Sequence, residues 1–146
     1  MYNTPNLFVM KRLIALFLTI ALFTSCSVDE GTAYRSEILP VDSVNIPDEF
    51  EMGETYPIEV FYYQPTTCYD FYNFYYKKHN NERTVAPSNL VFDLDDCEST
   101  EDILVSNTFN FVVTGNGSYV FKFWQGKDED GEDQYLVIEV PVVETP

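Results

Sequence analysis

The side chains able to do chemistry in this chain are few: three cysteines (Cys26, Cys68 and Cys97), one histidine and several runs of carboxylates. A thiol or hydroxyl nucleophile needs a base within hydrogen-bond reach. The single histidine, His79, stands in Lys77-Lys78-His79-Asn80-Asn81, which reads as an exposed polar turn rather than a catalytic setting. Carboxylate pairs such as Asp95 and Asp96 can serve as acid and base only if their pKa values are pushed apart, and nothing in the sequence does that. There is no glycine-rich phosphate loop. The expectation is a protein that binds or supports, not an enzyme.

Two further patterns carry candidate sites. Asp128, Asp130 and Asp133, in the run "DEDGED" around Gly131, alternate oxygen ligands as calcium sites do. The run lacks the twelve-residue spacing and closing Glu of an EF-hand loop, and Asp-Gly is a common hairpin turn, so a hydrated turn with no cofactor is the plainer reading. "DLDDCESTED" is read in the same way. In "CYDFYNFYYKK" successive aromatics alternate, with Tyr69, Phe71 and Tyr75 on one strand face and Tyr72, Phe74 and Tyr76 on the other. Tyr69, Tyr72, Phe74 and Tyr76, with Trp124 from "FKFW", are the candidate ligand-binding residues, because exposed rings stack on sugars or anchor proteins. The alternative is that these rings fill inner faces and cross-strand pairs.

The elements that must hold these residues are extended. From Ile38 onward no apolar repeat of helical period lasts, and short strands alternate with turn residues. Seven are expected: Glu37–Ile46 (interrupted by Pro40), Thr55–Tyr63, Tyr69–Lys77, Thr84–Leu94, Leu104–Thr114, Ser118–Trp124 and Gln134–Val143. Such spacing argues for an all-β, seven-stranded antiparallel β-sandwich of immunoglobulin-like type. "GNGSYVF" resembles the stretch that opens strand F in immunoglobulin-superfamily domains, with Gly117 and Tyr119 matching, Gly115 in the Asp position and Phe121 in the Cys position. The resemblance implies that the Tyr119 hydroxyl anchors a chain corner to the backbone, in a core without the antibody-type cysteine.

The 146 residues suffice for one domain, and after Cys26 six basic residues face 24 acidic ones, a difference of −18. A nucleic-acid partner is therefore not expected, whereas a basic protein is one candidate. Met10-Lys11-Arg12 followed by the apolar run Leu13–Phe23 reads as a signal peptide over residues 1–25, with Met10 as an alternative start. The run is short for a bilayer span. Leu22-Phe23-Thr24-Ser25-Cys26 resembles the lipobox of bacterial lipoproteins, although Phe23 stands where Leu is usual and Leu22 lies one position further back. That resemblance implies lipidation of Cys26 and anchoring by several acyl chains, which hold a membrane far better than one. Ser27-Val28-Asp29-Glu30 resembles the acidic export signal of Bacteroidota surface lipoproteins, implying the outer membrane and its outward face. Residues 26–35 then form a tether and 36–146 the domain.

With Cys26 assigned to lipid, Cys68 and Cys97 remain to pair with each other in an oxidising envelope. Two strands separate them, and two antiparallel traverses return the chain to the same end of a sandwich, unless Pro87 divides the second. Once they pair, too few ligands remain for zinc. The expected protein is an outer-membrane-anchored lipoprotein with a noncatalytic binding or structural role. A glycan or a basic protein is its candidate ligand.

Overall fold

The structure, a computed structural model, describes residues 31–100 and 103–143. The expectations for the signal segment, for Cys26 and for the tether up to residue 30 lie outside the described residues. Nine strands and no helix occur among them: β1 (Tyr34–Ile38), β2 (Val41–Asn45), β3 (Phe50–Glu51), β4 (Thr55–Tyr63), β5 (Tyr69–His79), β6 (Glu82–Phe92), β7 (Leu104–Val112), β8 (Ser118–Lys127) and β9 (Asp133–Val143). One sheet runs β1-β6-β8-β9-β3, with β5 on the other edge of β6, and the second runs β2-β4-β7.

Nine strands replace the expected seven for two reasons. Pro40 does more than weaken a strand: Leu39 donates its N–H to the Pro87 carbonyl in one sheet, and at Val41 the chain has joined the other. Both Leu39 and Val41 are buried, so the crossing is pinned from either side. The other addition, β3, is a two-residue parallel contact with Val142 and Val143 of β9. It is too short to leave a periodic signal, yet it seats the fully buried Phe50 among Tyr56, Phe111, Tyr119 and Phe121. Truncating such a ring costs about 3–5 kcal/mol.

The expectation of wholly antiparallel sheets is also corrected. A two-residue turn at Asn80-Asn81, with Asn80 at φ 52°, folds β6 back along β5. Asn81 then docks that turn on the start of β8, its carbonyl accepting from Val120 N–H and its side chain donating to the Ser118 carbonyl. This sets β6, not β5, beside β8, and the two run parallel over Glu82–Val85. Beyond Ala86 the same edge of β6 pairs with β1 instead. Pro87 falls in the gap between these partners, facing the side where no ladder requires its missing N–H. β6 therefore runs through Pro87 unbroken, and the two-strand parity between Cys68 and Cys97 holds.

Alternation within each strand builds the core. Ile58 and Val60 of β4 and Phe111 of β7 face Val85 of β6, Phe121 and Phe123 of β8 and Val140 of β9. In β7 and the two residues after it, Phe111 and Val113 are buried while Asn110 and Thr114 are exposed.

Candidate functional site

The outer face of the larger sheet carries a groove of about 640 Å³. Its floor follows from two small side chains on β6, Thr84 and Ala86, flanked by longer ones on both neighbouring strands. On the β5 side Tyr75 and Lys77 stand directly opposite Ala86 and Thr84. On the β8 side Lys122 and Trp124 point outward because Phe121 and Phe123 point into the core. Tyr135 of β9 faces Trp124 across the ladder, and the Lys122 ammonium lies 4.9 Å from the centre of the Tyr135 ring.

Hydrogen bonds hold the wall at Trp124. Its indole N–H donates to Asp133 Oδ1 at 2.9 Å, and Lys127 Nζ lies 3.0 Å from the same oxygen. The Trp124 bond first, and then Lys127, keep Asp133 below the usual carboxylate range, while Asp133 raises Lys127. Trp124 is thus fixed in orientation with part of its ring still open to solvent. A rigid aromatic wall with a small-residue floor is a stacking surface.

The aromatic residues singled out in the sequence do not form one platform. Trp124 lies in this groove beside Tyr75, which alternation had placed on the opposite face from Tyr72, Phe74 and Tyr76. Phe74 and Tyr76 instead line a second groove of about 450 Å³ between the edges of the two sheets. There their ring centroids lie 5.1 and 6.0 Å from that of Phe109 on β7. Burial raises the Tyr76 phenol above its ordinary value, against the opposing charge of Arg83. Tyr72 sits at the β5 bulge and is 63% exposed. Tyr69 donates its hydroxyl to Glu37 Oε1 at 3.1 Å and is raised by burial and then by that carboxylate.

Cys68 and Cys97 form the expected disulfide, with their Cα atoms 5.5 Å apart. It joins the start of β5 to the loop after β6, beside a further contact in which Thr67 N–H donates to the Glu98 carbonyl. Two of the three calcium candidates, Asp128 and Asp133, are engaged by protein donors. Asp128 Oδ1 accepts from the N–H groups of Asp130 and Glu132, Asp128 Oδ2 accepts from Gln134, and Asp133 is held as above. Among the described residues no three His, Cys, Asp or Glu side chains gather as a metal site. His79 is exposed at the rim of the outer groove, 4.0 Å from Glu82, and Asp95 and Asp96 lie in an exposed loop.

Sequence reasoning missed Arg83. This side chain is 3% exposed, donates from Nη1 to the carbonyls of Asn80 and Glu82 at 2.8 Å each, and lies 4.9 Å from the centre of the Tyr119 ring. Tyr119 in turn accepts from the N–H groups of Thr114 and Gly115 at 3.1 and 2.8 Å. Burial raises the Tyr119 phenol, but those bonds and the Arg83 charge outweigh it and the net direction is down. Arg83 therefore ties the β5–β6 turn to Tyr119 and to the backbone that Tyr119 holds. Its place inward on β6 is legible from alternation with Val85, but a charged residue there is normally read as solvent-facing.

No family model, curated protein or solved structure matches this chain.

Proposed function

We propose that this chain is a lipid-anchored envelope protein whose single β-domain binds saccharides noncatalytically through the outer groove. The observation that carries the reading is the pairing of Tyr75, Trp124 and Tyr135 with hydrogen-bonding side chains above a floor of Thr84 and Ala86. Its volume of about 640 Å³ falls in the range of small-molecule sites, and its rings supply faces on which pyranose C–H groups stack.

Two features support an immunoglobulin-like reading of the domain. Tyr119 follows β7, opens β8 and bonds backbone four and five residues upstream, as a tyrosine corner does. Phe121, two residues on, fills the core where that family places a cysteine. The parallel β6–β8 pair is a departure from that plan.

The address rests on the basic-apolar start and the lipobox-like Cys26. Lipidation places Cys26 at the head of a short acidic tether and the groove-bearing domain outside the outer membrane. Expression in a lipoprotein-processing bacterium should yield protein that partitions into detergent and carries acyl mass, while Cys26→Ser should remain aqueous. An unmodified wild-type mass would refute the anchor. For the binding role, the purified domain should respond on an oligosaccharide array, and Trp124→Ala should abolish the response. Silence on the glycan array together with salt-sensitive capture of a basic protein would favour the acidic surface as a protein-binding module instead.

A further inference from the structure

Cations are scarce in this domain, and the outer groove collects them. Of the six basic residues after Cys26, three (Lys77, Lys122 and Lys127) line this groove, which among the described residues holds two carboxylates, Glu82 and Asp133. Lys127 is spent on Asp133 and on the Gly131 carbonyl. Lys77 and Lys122 have no carboxylate within ion-pair distance among the described residues, although acidic side chains outnumber basic ones three to one in the chain, 24 to 8. The Lys122 ammonium lies over the Tyr135 ring and occupies that face, which leaves Trp124 and Tyr75 as the rings of the groove on which a sugar would stack beside it. Lys77 stands on the opposite wall, across Thr84.

We infer that the groove selects a saccharide bearing an anionic substituent, a carboxylate or a sulfate, held between the ammonium groups of Lys77 and Lys122 while its ring stacks on the aromatic wall. This inference rests on the saccharide reading above and adds the charge of the ligand to it. The domain's large negative charge does not oppose it at contact range. At physiological ionic strength distant carboxylates are screened beyond about 8 Å, whereas a bound anion touches the two lysines directly. The same background disfavours long polyanions, so a short oligosaccharide or a chain end fits best.

The test is calorimetric titration of the domain with oligogalacturonate, with its fully methyl-esterified form, and with sulfated and unsulfated galactan oligosaccharides. The uronate and its ester separate charge from ring shape, and the galactan pair separates sulfate from carboxylate. At least one acidic member should bind about tenfold tighter than its uncharged counterpart, the worth of one strong charge-assisted contact. Lys77→Gln and Lys122→Gln should each remove most of that preference, Lys77→Arg should retain it, and thermal melts of all three should match the parent. Equal binding of charged and uncharged forms would overturn the inference and leave the saccharide reading standing. A preference unchanged in both glutamine variants would place the anion elsewhere and also overturn it. No binding by either series would overturn both.

Discussion

Removing the Cys68–Cys97 bridge should cost the domain a large part of its stability. The two residues are 29 apart in sequence, and closing a loop of that length lowers the unfolded chain's entropy by an amount worth about 3.6 kcal/mol at 25 °C. The β5–β6 hairpin lies within this loop, so the native fold already brings its ends together and the bridge acts chiefly on the unfolded ensemble. Double replacement by alanine, with urea unfolding followed by far-ultraviolet circular dichroism, gives the comparison. The expected loss of about 3–4 kcal/mol corresponds to a fall in Tm of roughly 15–25 °C for a domain of this size. The urea dependence should steepen, because the uncrosslinked chain expands further. A loss below about 1 kcal/mol would refute the reasoning, showing that the hairpin persists in the unfolded chain and holds the loop closed without the sulfurs.

Arg83→Met should destabilise the domain by about 2–4 kcal/mol, since methionine keeps the apolar stem but not the two carbonyl bonds or the charge against Tyr119; equilibrium unfolding checks it. Tyr119→Phe leaves the N–H groups of Thr114 and Gly115 without their acceptor, so stability should fall by about 1–3 kcal/mol and hydrogen exchange should quicken at those two amides. Tyr62 is fully buried, and burial, partly offset by Asn89, pushes its phenol from an ordinary 10.0 to about 12. Below pH 10 the phenol is protonated both folded and unfolded. Between pH 10 and about 12 Tyr62 ionises only in the unfolded chain, so it should contribute a fall in stability of roughly 2–3 kcal/mol, and Tyr62→Phe should show a decline shallower by that amount in matched melts.

Long strands were legible because alternation and turn residues are local signals. β4 has the expected bounds of Thr55–Tyr63, and β5 to β9 fall within a few residues of expectation. The disulfide was legible once the strands between its cysteines could be counted. What sequence could not show was which strand lies beside which. The parallel β6–β8 contact depends on Asn81 bonding residues 37 or more positions away, and the exchange of β6's partner at Pro87 depends on β1 and β8 sharing an edge. The groove was missed for the same reason. Alternation correctly divides Tyr75 from Phe74 and Tyr76 but wrongly groups Tyr69 and Phe71 with Tyr75, because the bulge between Phe71 and Asn73 takes up one residue and packs Phe71 against Phe74, their ring centroids 5.0 Å apart. Only the strand order shows that Tyr75, not Tyr76, shares a face with Trp124. Lysines near aromatics in sequence read as solvated, and their gathering around Thr84 and Ala86 is a tertiary fact.

The most direct test of groove binding is amide NMR mapping of the domain during titration with the tightest oligosaccharide from the array. Shifts concentrated at Tyr75, Lys77, Thr84, Lys122 and Trp124, with the β2-β4-β7 sheet unmoved, are the predicted result. Saturable binding that moves the β2-β4-β7 sheet or the Phe74–Phe109 groove, and leaves Trp124 in place, would contradict it.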